Sequence, residues 1–180
     1  MFAFNAGLAT AFPVALREHA LAALEVFPEP TVPSIAKFFV KVAGEVVAIP
    51  YRLYCDPSKI VAEHLMDIEK EIVHCLLTRH NDGFVRQQHL ARIVCSRNAW
   101  APPFVIQLLG EYVVEITGVI HDNLSALDRS CYKEFIRANP EFLTQIAQRV
   151  ASYWDCYYRV QKKEEYVGFK VLEFFKALVG

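Results

Sequence analysis

Four residues with the chemistry of metal ligands lie within one short stretch of the sequence: Glu111, Glu115, His121 and Asp122. Carboxylates one helical turn apart, with a histidine beyond them, can supply oxygen and nitrogen ligands from a single helix. The three acidic residues are spaced at i, i+4 and i+11, so a continuous helix would carry them on one narrow stripe. One hypothesis is therefore a metal-dependent enzyme or a metal-binding helical protein.

The rest of the sequence gives this metal hypothesis little support. Helical di-iron proteins use two Glu-x-x-His pairs, and the chain contains one such pair, Glu71–His74. The apolar residues around that pair predict a helix whose core face lies opposite His74: Val61, Leu65, Ile68, Ile72 and Leu76. The sequence also lacks GxSxG, GxGxxG and P-loop motifs. We therefore favour a non-enzymatic protein and expect neither a cofactor nor a bound metal.

A strip of arginines and histidines, the basic strip, runs from Arg79 to Arg97 and has two interpretations. As an exposed surface, it would bind another protein, of acidic character, through five side chains: Arg79, His80, His89, Arg92 and Arg97. The same surface could contact nucleic acid. That alternative is weaker, because the net charge is -1 and no nucleic-acid-binding module is recognisable.

The second interpretation of the basic strip is structural. At about 100° per residue, Arg86 falls between Leu90 and Ile93, within the apolar sector of its helix. A buried guanidinium needs a carboxylate partner, because an unpaired buried charge is strongly unfavourable. We therefore predict structural ion pairs among four residues: Asp82, Arg86, Glu111 and Glu115.

The end of the chain is rich in aromatic residues. Most of them continue the apolar face of a helix that starts at Pro140, whereas Tyr158 and Tyr166 lie at its edges and are predicted to contact a partner. The final segment, residues 166–179, carries more apolar surface than a terminal helix normally leaves in water. It therefore either docks on the rest of the fold or forms a homodimer.

The fold that positions these residues is predicted to be all-α with one short β-hairpin. Within residues 37–54, β-branched and aromatic residues flank Ala43-Gly44-Glu45, as is typical of a hairpin. Elsewhere, helical periodicity and prolines at helix starts, such as Pro102 and Pro140, predict six or seven helices with short loops. No linker divides residues 1–180, so we expect a single helical domain, built as a multi-helix bundle or as stacked helical hairpins.

The location of the protein is predicted from its cysteines and its apolar segments. The five cysteines include no CxxC pair, which favours reduced thiols. The apolar opening segment has no positive charge before Arg17, unlike a signal peptide, and no uncharged apolar run reaches about 18 residues. We expect a cytoplasmic protein without a membrane span.

Residues 82–120 resemble a HEAT-like helical repeat. The resemblance rests on Asp82, the pair Val85-Arg86, and the small and apolar residues Ala91 and Ile93 that follow. It implies stacked helical hairpins, in which Arg86 links the layers and a concave surface binds another macromolecule. The sequence thus favours a non-enzymatic helical scaffold that acts through protein–protein contacts, and both a HEAT-like stack and an irregular bundle fit its periodicity.

Overall fold

A computed structural model describes residues 2–32 and 36–180 of the chain. It confirms a mostly helical fold with one two-stranded antiparallel hairpin. The chain folds into two compact units, Met1–Arg92 and Ile93–Gly180. The organisation as a single domain stays a prediction, because this division does not establish whether the units unfold together.

The first unit contains the hairpin and the N-terminal helices. Its elements are α1 (Phe2–Ala9), α2 (Arg17–Leu24), β1 (Lys37–Val42), β2 (Glu45–Pro50), α3 (Asp67–Leu77) and α4 (Gly83–Ile93), which ends at the boundary of the unit. Two short 3-10 turns, Val14–Leu16 and Pro57–Lys59, precede α2 and follow the hairpin.

The hairpin predicted within residues 37–54 is present in the structure. Strands β1 and β2 pair in register from Lys37↔Pro50 to Val42↔Glu45. The two turn residues, Ala43 and Gly44, have φ of 51° and 83°, and positive φ at both positions of a two-residue loop matches the right-handed twist of the strands. Along β1, side chains alternate between the core and the solvent, which is the pattern of a strand with one buried face.

Asp56 followed by Pro57 has the sequence pattern of a helix start, an N-cap residue before a proline, but the α-helix begins later. The Asp56 carboxylate accepts a hydrogen bond from the Ser58 backbone N–H, but the chain makes only a 3-10 turn there. The α-helix starts at Asp67, where the Glu69 carboxylate accepts the Met66 backbone N–H at 3.0 Å. Val61 therefore lies outside the helix and is exposed, although it was predicted on the core face.

The second unit is a cluster of helices around an almost wholly buried one. Its elements are α5 (Pro102–Leu109), α6 (Val114–Asp122), α7 (Arg129–Ala138), α8 (Pro140–Tyr153) and α9 (Val167–Ala177). All eight residues of α5 are buried, as expected for a helix that is apolar on every side. Helices α6, α7, α8 and α9 all pack against α5, so α5 forms the centre of this unit.

The C-terminal helix α9 docks within its own unit. Val171, Leu172 and Phe175 are buried, and the Phe175 ring stacks on that of Tyr132 with 5.3 Å between centroids. From its apolar residues, this helix was predicted either to dock or to form a homodimer. Those residues are largely buried within the second unit. In the part of the chain that the structure describes, no helix combines the length and apolarity that crossing a bilayer requires.

Candidate functional site

The predicted acidic stripe is not formed, because the helix that should carry it is interrupted. Between α5 and α6 the chain leaves the helix at Gly110, so buried Glu111 lies in the connection while exposed Glu115 lies in the first turn of α6. His121 and Asp122 form a local pair, with 3.2 Å between Nδ1 and Oδ1. Among the described residues, no group of three or more His, Cys, Asp or Glu side chains is placed to hold a metal ion.

The first two residues of the basic strip are buried in the first unit. The Arg79 guanidinium donates hydrogen bonds to the backbone carbonyls of Pro50 and Tyr51, at 3.3 and 3.0 Å. His80 lies between Cys55 and Asp82: its Nε2 is 2.9 Å from the Cys55 carbonyl, and its Nδ1 accepts the Asp82 backbone N–H. Arg79 is 0% exposed and His80 4%. This burial corrects the prediction that both side chains face a partner: Arg79 holds the end of the hairpin instead, and His80 holds the segment that follows it.

Arg86 is also buried and fastens the corner between α3 and α4. Its Nη1 donates to the carbonyls of His80 and Asn81, both at 2.9 Å. The Asp82 carboxylate accepts the Phe84 backbone N–H at 2.8 Å, which caps the start of α4. The predicted ion pairs of Arg86 with Asp82, Glu111 and Glu115 stay predictions, whereas the burial of Arg86 agrees with its place in the helical pattern.

The remaining basic residues do not share the environment of Arg79. Arg92 and Arg97 are exposed, and His89 is half-buried. Arg79, His80 and Arg86 lie inside the fold and do not contribute to a basic surface, and binding of an acidic protein or of nucleic acid by the exposed residues stays a prediction.

His74 and His89 meet at a cleft in the first unit that the sequence did not predict. Their Nδ1 atoms lie 2.8 Å apart and their ring centroids 5.0 Å apart. The cleft has a volume of about 480 Å³, and its walls include Glu63, Lys70, Val73 and Leu77. We call this feature the histidine cleft. Its volume lies within the range of small-ligand sites.

Burial lowers the pKa of both imidazoles in the histidine cleft. Desolvation is the main cause for each, and the positive charge of Arg92 adds to it. For His89 the pKa falls to about 4, with further contributions from His74 and His80. Both side chains are therefore neutral near pH 7, so one Nδ1 donates the shared hydrogen bond and the other accepts it.

The second unit presents a cluster of three tyrosines, which we call the tyrosine surface: Tyr112, Tyr153 and Tyr157. Ring centroids of the three pairs are 6.2, 6.3 and 6.3 Å apart. Tyr112 is 54% exposed and Tyr157 64%. The break between α5 and α6 presents Tyr112, while the end of α8 and the π-helical turn Trp154–Tyr158 that follows present the other two. π-Helical turns of this kind often occur at functional sites.

Tyr158 and Tyr166, the two tyrosines predicted to contact a partner, pack next to the tyrosine surface. Tyr166 is buried, and its ring stacks on that of half-buried Tyr158 at 5.1 Å. The Tyr158 hydroxyl donates to the Tyr112 carbonyl at 3.1 Å. Burial and the nearby Tyr158 raise the pKa of Tyr166 to about 12. The prediction that Tyr166 is available to a partner is therefore wrong, because its ring lies in the core.

No family model, curated protein or solved structure matches this chain. The HEAT-like resemblance of residues 82–120 stays an interpretation of the sequence. The function must then be inferred from the geometry of the chain itself.

Sequence reasoning missed Tyr112 and the contact of His74 with His89. The periodicity placed His74 away from the core of its own helix, which is correct for α3 alone, but the residue on α4 that meets it is 15 positions away. Tyr112 lies 41 residues before Tyr153 and within a predicted helix, so its spacing carried no signal. The periodicity of the helix from Pro140 predicts Tyr157 on the apolar face, but this prediction is wrong, because α8 ends at Tyr153 and the π-helical turn that follows leaves Tyr157 64% exposed.

Proposed function

We propose that this protein is a non-enzymatic interaction domain that binds another protein through the tyrosine surface. The observation that carries this proposal is the exposure of Tyr112 and Tyr157 within a cluster of touching rings. Tyrosine is enriched in protein interfaces, because one rigid side chain supplies a large contact area together with a polar end. A cluster of exposed tyrosines is therefore a suitable centre for an interface.

The surroundings of the tyrosine surface favour a preorganised binding site. Tyr158 ties the backbone at Tyr112 to the buried ring of Tyr166. After the π-helical turn, the Trp154 indole donates to the Gln161 carbonyl at 3.0 Å, and the Lys163 ammonium lies 4.9 Å from the centre of the Trp154 ring. These contacts would hold the rings in place before a partner binds, so binding would cost less conformational entropy.

The spacing of the rings suggests the kind of partner segment that fits. Adjacent ring centroids are 6.2 and 6.3 Å apart, and alternate residues of an extended chain, which point to the same side, are separated by roughly 6.4–6.8 Å. Compact apolar side chains such as proline, at every second position, would pack on the exposed faces of neighbouring rings, because the rings contact one another and leave no gap between them. We therefore propose an extended, proline-containing segment of another protein as the ligand.

Three of the five cysteines lack the lowered pKa of an activated nucleophile. Burial raises the pKa of the thiols of Cys55, Cys75 and Cys131, so these three side chains stay protonated near neutral pH. Nucleic-acid binding through the basic strip has no observation in its favour, since Arg79, His80 and Arg86 are buried.

Site-specific photocrosslinking tests the proposal in living cells. A photoreactive phenylalanine analogue replaces Tyr157 in one version of the full chain and Phe84, which is 83% exposed in the first unit, in the matched control. We expect the probe at position 157 to capture one defined protein that the probe at position 84 does not capture. Equal capture from both positions, or no capture from position 157, would contradict the proposal.

The captured protein then allows a quantitative test. With purified partner, Tyr157→Ala and Tyr112→Ala should each weaken binding about tenfold or more, as truncations at the centre of an interface do. Phe84→Ala should leave the affinity unchanged. Because Tyr157 is mostly exposed, its truncation should alter the melting temperature little.

A further inference from the structure

We propose that the outer edge of β1 binds an extended acidic segment of another protein, which adds to the hairpin as an antiparallel strand. Three residues of β1 define this surface, which we call the β1 edge: Lys37, Phe39 and Lys41. The ligand places an apolar residue opposite Phe39 and acidic residues opposite the two lysines. This inference concerns the first unit and does not depend on the tyrosine surface.

The backbone of Phe39 points away from β2. In an antiparallel pair, residues that bond to the partner strand alternate with residues whose N–H and C=O face outward. The Tyr51 N–H donates to the Ala36 carbonyl at 2.9 Å, so the register of the hairpin places Phe39 among the outward-facing residues. Among the residues that the structure describes, none forms a backbone hydrogen bond with Phe39 on that side. An added strand can therefore both donate to and accept from the Phe39 backbone.

The opposite edge of the hairpin is already occupied. In β2 the Ala48 N–H donates to the Thr10 carbonyl at 2.8 Å, and the Pro50 carbonyl accepts a hydrogen bond from the Arg79 guanidinium at 3.3 Å. Proline also has no N–H to offer a further strand. An added strand is therefore expected at β1 rather than at β2.

The side chains of the β1 edge favour an apolar residue flanked by acidic ones. Phe39 is 67% exposed, and an apolar side chain opposite it would remove part of its ring from water. Lys37 and Lys41 lie two residues to either side of Phe39 and therefore on the same face of the strand. Acidic residues at alternate positions of the ligand would lie opposite these two positive charges.

The polar contacts of the hairpin leave its charge positive. The Lys37 ammonium donates to the Gly7 carbonyl at 2.8 Å, an acceptor that carries no charge. Glu45 is the one acidic residue within residues 37–50, and its carboxylate accepts the Val14 backbone N–H at 2.9 Å. An acidic ligand therefore complements the β1 edge better than a basic one does.

The same lysines disfavour a second copy of this chain as the ligand. In a symmetric antiparallel pair centred on Phe39, each Lys37 would lie opposite the Lys41 of the second copy. Like charges directly opposite one another are destabilising, and lysines at sheet edges commonly prevent strands from pairing with themselves. The charge that repels a second copy attracts an acidic segment, so it gives the β1 edge its specificity.

A synthetic peptide tests this surface on the full-length protein. The probe is acetyl-Thr-Glu-Thr-Val-Thr-Glu-Thr-amide, whose valine faces Phe39 and whose glutamates face the two lysines. In ¹H–¹⁵N spectra, we expect the peptide to shift the Phe39 amide signal most and to slow its exchange with solvent. An N-methyl group on the valine removes the N–H that the Phe39 carbonyl would accept, so it should weaken binding about fivefold or more.

A charge exchange separates strand pairing from a general disturbance of the hairpin. In an antiparallel register the first glutamate of the peptide faces Lys41. A peptide with lysine at that position should bind the wild-type chain about fivefold more weakly, and Lys41→Glu should restore its binding. Lys162→Glu, at an exposed site in the second unit, should change neither affinity. A misfolded variant could not gain affinity for the altered peptide.

Three results would overturn the proposal. The first is an absence of binding by the glutamate peptide, and the second is binding that N-methylation leaves unchanged or that shifts no signal of the hairpin. The third is a free protein that sediments as a dimer and becomes a monomer on Phe39→Asp, because a second copy would then occupy the β1 edge.

Discussion

At the scale of single residues, Arg86 and Arg92 show how one helix gives the same side chain two different roles. Both lie on α4, but Arg86 is buried and bonded to the carbonyls of His80 and Asn81, whereas Arg92 is exposed. The sequence predicted the burial of Arg86 because its helical position lies between Leu90 and Ile93. It did not predict that backbone carbonyls would accept its hydrogen bonds.

Removal of the Arg86 side chain should therefore destabilise the protein. We expect Arg86→Ala to lower the free energy of unfolding by about 2 to 4 kcal/mol, because two carbonyls lose a charged donor and a cavity forms. Arg92→Ala on the same helix should change it by less than about 0.5 kcal/mol. Urea denaturation of both variants measures the difference. Similar losses for the two arginines would show that burial does not distinguish them.

The pKa of His89 predicts a pH dependence of the stability of the protein. In the folded state this pKa is about 4, below the ordinary value, so the unfolded chain binds more protons between about pH 6.5 and 4. The free energy of unfolding should fall across that window as the pH falls. We expect His89 to account for about 1 to 2 kcal/mol of the fall, allowing for solvent screening at a half-buried site.

Urea denaturation at pH 7 and pH 4 measures this contribution. His89→Gln should show a smaller fall than the wild-type chain, whereas the exposed His64→Gln should show the same fall. An unchanged fall in His89→Gln would mean that His89 does not titrate with a lowered pKa.

At the scale of elements, two helical glycines differ in how closely neighbouring side chains approach them. A Cβ at Gly168 in α9 would lie 2.6 Å from the ring of buried Tyr166 and 3.1 Å from Val150, whereas a Cβ at Gly118 in α6 would meet nothing within 4 Å. The sequence predicts close approach at Gly110 and Gly118, and the structure shows it at Gly110 but not at Gly118.

Alanine at these two positions should act in opposite directions. We expect Gly168→Ala to lower the free energy of unfolding by about 1 to 3 kcal/mol through overpacking, since Tyr166 has little room to move. Gly118→Ala should raise it by about 0.5 to 1 kcal/mol, because alanine is the better helix former. Thermal unfolding followed by circular dichroism compares the two, and a stabilised Gly168→Ala would refute the packing argument.

At the scale of the whole molecule, the division into two compact units predicts how a local defect spreads. Gly168 lies in the second unit, so Gly168→Ala should speed native-state hydrogen exchange mainly at residues 93–180. Exchange at the slowest amides of residues 1–92 should change little. An equal acceleration in both ranges would instead support the single cooperative domain that the sequence predicts.

The sequence by itself determined the features that depend on neighbours along the chain. Alternating residues and the Ala43-Gly44 turn produced the hairpin, and Pro102 and Pro140 start helices as predicted. The terminal helix was expected to need an apolar partner, and Phe175 is fully buried. Such features follow from local backbone geometry and periodicity, which a sequence carries directly.

Only the tertiary structure decided which distant side chains meet. Helical periodicity gives the direction of a side chain from its own helix axis, but not which neighbouring helix covers that direction. The contact of His74 with His89 depends on where the chain places α3 and α4, and that of Tyr112 with Tyr157 on the break at Gly110. Both candidate sites arise from such long-range packing, because burial and contact between distant residues are properties of the packed fold.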